Sequence, residues 1–298
     1  MGTDEPLLID RSARSARYYR NAVERHWDPA DVDLSGDREA LLDADDALLE
    51  GLRVSLAKFG AGEQSVTEDL SPLVVVLDDL EDELFVTTQL YEEAKHTDFF
   101  DRYWAEVVNA VEDDRGLART TPRDARYFDD DYLELFERTE EAMARLLTED
   151  TPETRARAYS HYHLVVEGIL AQTGYYGLTR AFSGEFEGVP ELAGLAEGLA
   201  LIRGDEGRHV GFGMAKLKEL VLEEGVEPDV LSDTVTGLVG LVQGTLAAGS
   251  DEQSGEPILE PAELTEYAVE KHTERMRQIT DAAADIPDVE ELTSLDGD

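Results

Sequence analysis

Long segments with helical periodicity limit this chain to a small set of folds. Between residues 37 and 280, apolar residues recur at helical spacing, Gly or Pro separates the segments, and strand patterns are few. We predict helices over residues 37–59, 62–80, 82–112, 130–147, 152–182, 190–222, 228–248 and 260–280. The predicted fold class is therefore all-α, with several helices long enough to cross a whole domain.

The segments form one large domain with a short region on either side. No Gly/Ser/Pro-rich linker interrupts the 298 residues, which suffice to bury a substantial core. We predict an N-terminal extension over 1–36, the helical domain over 37–280 and a flexible acidic tail over 281–298. The tail is expected to be mobile because it carries few large apolar side chains.

Cysteine is absent, which limits the metal chemistry of the chain. Disulfides, thiolate metal sites and a cysteine nucleophile are excluded, so histidine and carboxylate are the only strong metal ligands left. No segment approaches the roughly 18 uncharged apolar residues of a membrane span, and the N-terminus lacks an apolar signal core. We therefore predict a cytoplasmic protein with no membrane span.

The net charge is −42, from 68 acidic and 26 basic residues. Such a charge repels phosphate, which argues against nucleic acid or an anionic membrane surface as a partner. It also destabilises a compact fold by self-repulsion, unless concentrated salt screens the charges to about 3 Å at 1 M. The acidity predicts a halophilic protein and says little about activity.

Two Glu-x-x-His motifs lie inside predicted long helices. Glu93 precedes His96 by three residues, and Glu206 precedes His209 by three. This spacing places both side chains of a motif on one helix face, one turn apart, where they can share a metal ion. Glutamate is so common here that the two motifs by themselves can arise by chance.

A glutamate in an apolar or small-residue context precedes each motif. Glu63 lies in FGAGEQSV and Glu167 in HLVVEGILA. Either side chain can be a solvated helix residue, although Glu167 would be costly to bury as an unpaired charge and acceptable as a ligand to a cation. Asp205, beside Glu206, is either a surface acid or the acceptor that orients His96.

The four elements occur in the order Glu, Glu-x-x-His, Glu, Glu-x-x-His. This order matches the inward-facing ligand set of di-iron and di-manganese carboxylate bundles. We therefore predict a ferritin-like four-helix bundle with additional helices and a dinuclear metal site. Its six ligands are Glu63, Glu93, His96, Glu167, Glu206 and His209.

Over roughly residues 22–215 the sequence resembles the small-subunit group of ribonucleotide reductases, and more closely its ligand-binding oxidase branch. The resemblance is carried by HWDPADVDLSGD, GEQSVTEDLSP, YEEAKHTDFF, YHLVVEGILAQTGYYG and IRGDEGRH, in that order. It implies a manganese/iron pair, with two irons as the alternative. It places Glu63, Glu93 and His96 around manganese and Glu167, Glu206 and His209 around iron, and it implies that Glu93 bridges the metals.

Two positions argue against a typical reductase small subunit. Such subunits have a radical tyrosine four residues after the first ligand histidine, where this chain has Phe100. They also need a tyrosine in the C-terminal tail to pass the radical to the large subunit, whereas the last tyrosine here is Tyr267, inside a predicted helix. Some reductases nevertheless lack the radical tyrosine, so the reductase remains an alternative.

Val66 and Tyr162 occupy the two positions that mark the oxidase branch. In that branch a valine three residues after the first ligand glutamate and a tyrosine five residues before the fourth ligand become joined by an ether cross-link. Val66 shares a helical face with Glu63, but five residues turn an α-helix by about 140°, so Tyr162 needs side-chain reach or a distorted turn to approach the metals. From the residues alone, both can also be packing residues.

The resemblance implies an oxidase that uses O₂ at a manganese/iron site, holds a long-chain fatty-acid-like ligand and forms a homodimer. The first alternative is a reductase small subunit without a tyrosyl radical, which would supply a radical to a large-subunit partner. A ferritin-like metal-storage protein is a further alternative, disfavoured because storage calls for a shorter bundle with a cage-forming surface.

We predict that folding depends on salt, because the 68 acidic side chains repel one another until ions screen them. The melting temperature should be clearly higher in about 1 M salt than in dilute buffer. Circular dichroism melts across a salt series measure this. A melting temperature that does not rise with salt would contradict the halophilic interpretation.

Overall fold

The computed structural model describes residues 8–251, 258–288 and 291–292. These residues form twelve α-helices and contain no β-strand. The helices are α1 Arg14–Glu24, α2 Ser35–Leu41, α3 Asp46–Asp69, α4 Ser71–Val76, α5 Leu80–Tyr103, α6 Asn109–Asp114, α7 Asp130–Arg145, α8 Pro152–Tyr159, α9 Gln172–Ala181, α10 Ala193–Leu222, α11 Pro228–Asp251 and α12 Pro261–Thr280. Segments Trp104–Val108 and Ser160–Ala171 are π-helical, and Pro29–Asp31 and Ala125–Tyr127 are 3₁₀ turns. The predicted all-α class is confirmed.

The main error in the predicted helices is the break between residues 59 and 62. Helix α3 runs without interruption through Gly60 and Gly62. A Cβ atom on Gly60 would lie 3.3 Å from Phe100 Cβ, and one on Gly62 would lie 3.3 Å from Phe136 Cζ. These glycines therefore make room for aromatic side chains of neighbouring helices and do not end a helix, which the sequence pattern alone could not reveal.

Four long helical elements form the bundle that carries the predicted ligands. Helix α3 packs against α5, α5 packs against α10, and the π-helical segment between α8 and α9 packs against α10. Helices α7, α11 and α12 cover the outer side of the π-helical segment. The predicted four-helix bundle with additional helices is therefore confirmed.

The buried apolar side chains form two clusters separated by a polar layer. One cluster contains Val66, Phe85 and Val210, and the other contains Leu56, Phe99 and Leu199. Along α3, α5 and α10 the change from one cluster to the other occurs where the predicted ligands lie. Burial of apolar area on both sides stabilises the bundle and leaves a buried, polar middle.

Both flanking regions pack more than the sequence indicated. Helix α1 lies in the predicted N-terminal extension, where Tyr18 and Ala22 are buried and the helix contacts α5 and α10. Its three arginines make the short apolar stripe hard to recognise in the sequence. In the predicted tail, Ile286 and Leu292 are buried against the core, whereas residues 289–290 and 293–298 lie outside the described residues.

Helix α11 is, within the described part of the chain, the one helix long and apolar enough to cross a membrane by length and composition. The span Pro228–Ala247 has a mean hydropathy of 1.3. Leu231, Val235, Leu238 and Val242 of this span lie in the protein core. Packing inside the bundle accounts for part of the apolar character of α11, since 39% of the span is buried.

A buried carboxylate from another helix caps the N-terminus of α10. Asp37 of α2 accepts hydrogen bonds from the backbone N–H groups of Gly194 (2.8 Å) and Leu195 (2.7 Å) and from the Tyr103 hydroxyl (3.0 Å). The first amides of a helix have no partner within the helix and carry partial positive charge. Asp37 thereby fixes the start of the helix that carries Glu206 and His209.

Asp37→Ala should destabilise the protein by about 2–3 kcal/mol, because buried amides lose a charged acceptor. Chemical denaturation at fixed salt measures the change. Asp43→Ala is the matched control, since Asp43 is exposed nearby, and it should alter stability by less than about 0.5 kcal/mol. Equal effects of the two substitutions would contradict the capping role.

Candidate metal site

The structure brings the six predicted ligands together in the buried polar layer. Ligand atoms of Glu63, Glu93, His96 and Glu206 lie within 4.8 Å of one another, as do those of Glu93, Glu167 and His209. All six side chains are buried, and Glu93, His96 and His209 have no exposed surface. The alternative of a solvated helix residue therefore does not apply to Glu63 or Glu167.

Each histidine directs its Nδ1 atom at carboxylate oxygens. His96 Nδ1 lies 3.5 Å from Glu63, 3.4 Å from Glu93 and 3.4 Å from Glu206. His209 Nδ1 lies 3.0 Å from Glu93, 3.5 Å from Glu167 and 3.6 Å from Glu206. Glu93 and Glu206 therefore each lie close to both histidines. The resemblance placed Glu206 around the iron alone, whereas in the structure Glu206 lies between the two histidines.

Five inward-facing atoms have no hydrogen-bond partner among the described residues. They are Glu93 Oε2, His96 Nδ1, Glu167 Oε2, Glu206 Oε2 and His209 Nδ1. Buried polar atoms are nearly always paired, because an unpaired one costs its full desolvation free energy. The convergence of these lone pairs is what a set of oxygen and nitrogen ligands to cations requires.

A π-helical turn explains how Tyr162 reaches the site. Residues Ser160–Ala171 adopt a π-helix, in which residues five apart are joined by a backbone hydrogen bond and lie nearly above one another. Tyr162 and Glu167 are five apart, so the distorted turn that Tyr162 required is present. The Tyr162 hydroxyl donates a hydrogen bond to Glu93 Oε1 at 3.2 Å and is fully buried.

His96 is oriented from behind by Asp205. His96 Nε2 donates to Asp205 Oδ2 at 3.0 Å, which leaves Nδ1 free to face the glutamates. The same carboxylate oxygen accepts from Trp27 Nε1 at 2.8 Å and from Lys95 Nζ at 2.7 Å. Asp205 is buried and is therefore not a surface acid. Its contact with His96 agrees with the second interpretation, an acceptor that orients this histidine.

Glu92 has the matching position behind His209, and the sequence reasoning missed it. His209 Nε2 donates to Glu92 Oε2 at 2.9 Å. Arg208 donates from Nη2 to both Glu92 and Asp205, so one guanidinium joins the two outer carboxylates. The signal was present in the sequence: an acid directly precedes the glutamate of each motif, and each acid orients the histidine of the other motif.

Two further buried side chains hold the inner glutamates. Tyr175 donates to Glu63 Oε1 at 2.6 Å, and Gln89 Nε2 donates to Glu167 Oε1 at 2.8 Å. The Tyr175 ring stacks on Phe59, which in turn stacks on Phe100, with ring centroids 4.7 and 5.5 Å apart. Phe100 therefore completes an aromatic stack beside the site, and no sequence pattern indicated Tyr175 or Gln89.

A cavity of about 210 Å³ adjoins the four inner glutamates. Val66 is buried and lies on its wall beside Glu63. The other walls are largely apolar and come from α3, α7, the π-helical segment, α9, α11 and residues 258–264, including Leu48, Leu52, Phe59, Phe136, Leu170, Leu178, Ile258 and Leu264. Leu48 lies fifteen residues before Glu63 on α3, so the cavity follows that helix for about 22 Å.

Solved structures of R2-like ligand-binding oxidases are similar to this chain, whereas no protein-family model matches it. A glycine-to-leucine variant with an anaerobically reconstituted Mn/Fe cofactor has a TM-score of 0.80 and 26% identity, covering 93% of this chain and 98% of that one. A tyrosine-to-phenylalanine variant with an aerobically reconstituted Mn/Fe cofactor has a TM-score of 0.78 and 28% identity, covering 90% and 94%. This chain shares their fold. The predicted ferritin-like architecture is thereby confirmed.

Burial and crowding of charge perturb the titration of the site. Burial raises the pKa of Glu63 to about 8, although His96 opposes the shift. Burial likewise raises the pKa of Glu167 well above its usual value. Burial lowers the pKa of His96, but the hydrogen bond to Asp205 and the nearby Glu63 and Glu93 outweigh it, so that this pKa is raised well above 6.5.

These shifts give metal-free protein a stability that falls as the pH rises from about 6.5 to about 8. In this range folded Glu63 holds a proton that the unfolded chain has released, and folded His96 does the same above 6.5, so raising the pH favours unfolding. Melting temperatures of metal-free protein across the range measure the slope. Glu63→Gln should flatten it, whereas Glu68→Gln, an exposed site on the same helix, should not. Equal slopes in all three proteins would contradict the shift.

Proposed function

We propose that this protein is an oxygen-activating, ligand-binding oxidase with a manganese/iron pair, of the kind that the similar structures represent. The observation that carries the proposal is the buried set of four glutamates and two histidines whose free lone pairs converge. The similarity to oxidases with reconstituted Mn/Fe cofactors supports the choice of metals. Two irons would suit the same oxygen and nitrogen ligands.

The charge of the site fits two divalent cations. Six carboxylates surround the centre, four in the inner set together with Glu92 and Asp205 behind them, and Lys95 and Arg208 are the cations paired with them. With neutral histidines, this leaves four negative charges, which two divalent ions would neutralise. The raised pKa values of Glu63, Glu167 and Glu206 show how strongly the metal-free site resists full ionisation.

The protein groups would each have a defined task. Glu63, Glu93 and His96 would hold manganese, Glu167, Glu206 and His209 would hold iron, and Glu93 would bridge them. Asp205 and Glu92 keep the two imidazoles in the tautomer that presents Nδ1 to a metal. When bound, the metal pair would supply electrons to dioxygen and the oxidising power for hydrogen removal.

Tyr162 and Val66 are the proposed sites of oxidation. Burial raises the pKa of Tyr162 well above 10, so the phenol keeps its proton and donates a hydrogen bond to Glu93. An ether between the Tyr162 oxygen and the Val66 β-carbon forms when the O–H and C–H bonds break. The two protons and two electrons released would pass to dioxygen, so that the chain loses two hydrogens in total.

The cavity supports a long-chain fatty-acid-like ligand. Its walls are largely apolar, and it follows α3 for about 22 Å from the glutamates outward. A carboxylate head group would be repelled by four glutamates unless cations stood between them. Ligand binding should therefore require the metals.

One observation favours the reductase alternative. Trp27, Asp205 and His96 form a hydrogen-bonded line from the segment after α1 to the site, with the indole and imidazole rings stacked at 6.3 Å. Such a line could pass an oxidising equivalent to a large-subunit partner. Phe100 and the oxidase-branch pair Val66 and Tyr162 count against it, so the oxidase remains the proposed function.

Cytoplasmic location, a homodimer and a halophilic host are further parts of the proposal. The halophilic host is inferred from the acidic composition, and the homodimer from the resemblance to the oxidase branch. Light scattering of the purified protein in about 1 M salt would determine the oligomeric state.

Glu206→Ala and His96→Ala should each lower bound metal sharply while the helical content stays nearly unchanged. Both side chains face the centre, whereas the apolar clusters on either side provide most of the folding free energy. Elemental analysis beside circular dichroism tests this. Glu197→Ala, an exposed site on α10, should keep its metal. Full metal retention in both ligand variants would refute the ligand assignment.

Exposure of reduced, manganese- and iron-loaded protein to oxygen should join Val66 to Tyr162. Peptide mass spectrometry should find the two segments linked, with a mass lower by two hydrogens. The link should be missing in Tyr162→Phe and in protein kept anaerobic. If the chain stays unlinked in oxygen but supports nucleotide reduction by a separate large subunit, the reductase alternative replaces the oxidase.

A further inference from the structure

Arg275 of α12 is a buried arginine that contacts the π-helical segment directly. Only 4% of its surface is exposed. Its Nη1 atom donates to the backbone carbonyl of Gly168, and its Nη2 atom donates to Gln172 Oε1 at 2.5 Å. Gly168 directly follows Glu167, and Gln172 is the first residue of α9. One guanidinium thus spans the end of the π-helix and the start of the next α-helix.

This junction has a backbone requirement of its own. In a π-helix each carbonyl accepts from the N–H five residues on, and in an α-helix from the N–H four residues on, so the change of pattern leaves one carbonyl without a helical donor. The N–H of Gln172 is shared between the Glu167 carbonyl, five residues before it, and the Ile169 carbonyl, three residues before it, so it does not serve Gly168. Gly168 is the next carbonyl along the chain, and Arg275 supplies a donor to it.

Glycine is required at position 168 for the same reason. A Cβ atom there would lie 2.7 Å from the His163 carbonyl oxygen, the atom that the π-helical pattern brings beneath it. It would also lie 3.0 Å from Arg275 Nη1. Both distances are shorter than normal contacts, so the glycine admits the tight turn and the guanidinium together.

We propose that Arg275 is a positioning residue that fixes the π-helical segment, and with it the placing of Tyr162 and Glu167 relative to the metals. The inference rests on the proposed function, since it assigns Arg275 a part in preparing that site. Without this donor, the junction would regain a normal hydrogen-bond pattern by returning to α-helix. Tyr162 and Glu167 would then point about 140° apart around the helix axis, so that both could not face the metals.

The chemistry of the contact calls for arginine. Its planar fork offers two N–H groups to two acceptors that lie one turn apart, which a lysine ammonium cannot match in a fixed geometry. Burial lowers the pKa of Arg275 to about 10, so the side chain still carries its proton at neutral pH. The charge therefore strengthens both hydrogen bonds under working conditions.

The first experiment measures hydrogen exchange in metal-free protein and does not depend on activity. Arg275→Met should raise amide exchange by about ten-fold or more over residues 160–173, and much less in α3 and α5. Arg277→Met is the matched control, because Arg277 lies on the same helix and is an exposed partner of Glu274. It should leave exchange over 160–173 unchanged. The proposal would be overturned if Arg277→Met raised exchange over 160–173 as much as Arg275→Met does. It would also be overturned if Arg275→Met raised exchange by the same factor in α3 and α5 as in this segment.

The second experiment follows the Val66–Tyr162 link in metal-loaded protein. At saturating manganese and iron, Arg275→Met should slow formation of the link about ten-fold or more, and Arg275→Lys should restore little of the rate. If Arg275 merely docks α12, the melting temperature will fall while the link forms at the wild-type rate, and the proposal fails. If wild-type protein forms no link, the oxidase proposal fails and the exchange experiment alone decides the role of Arg275.

Gly168→Ala and Gln172→Met test the same junction should Arg275→Met not fold. Gln172→Met removes one acceptor and keeps the buried volume, so it should give a smaller exchange increase in the same segment. Gly168→Ala should perturb this segment more, because its Cβ meets both partners. Normal exchange over 160–173 in both variants would overturn the proposal.

Discussion

Electrostatic repulsion among buried carboxylates dominates the centre of this molecule. Six acids meet in a layer with almost no exposed surface, and Lys95 and Arg208 pair with the outer two. The apolar clusters above and below must hold these charges together, because unpaired buried charge opposes folding. A site of this kind is stable in full only when cations complete it, so metal binding and folding are linked.

The two Glu-x-x-His motifs support each other. The acid that precedes each motif hydrogen-bonds the histidine of the other one, and Arg208 connects both acids. A single guanidinium therefore joins the carboxylates that orient the two histidines. This reciprocal arrangement follows from α5 and α10 packing against each other, with their motifs at the same level of the bundle.

Acidic side chains have different effects at the surface and in the interior of this protein. The surface acids concern solubility and screening by salt, and their effect falls with ionic strength. The buried acids are shielded from salt and concern the chemistry of the site. The π-helix adds a third constraint, since it departs from the preferred hydrogen-bond pattern so that Tyr162 can face Glu93, and it requires a donor from α12 at its end.

Sequence by itself determined the helical class and most helix bounds after residue 80, because both depend on the local 3.6-residue periodicity. It also determined the set of six side chains that meet, because the one-turn step from Glu to His and the order of the four elements can be read along the chain. It did not determine the continuity of α3 through Gly60 and Gly62, the roles of Glu92, Gln89 and Tyr175, or the contact of Arg275 with Gly168. Those depend on which helices become neighbours and on where a helix adopts the π pattern. Only packing in three dimensions sets both, since the partners lie up to 117 residues apart along the chain.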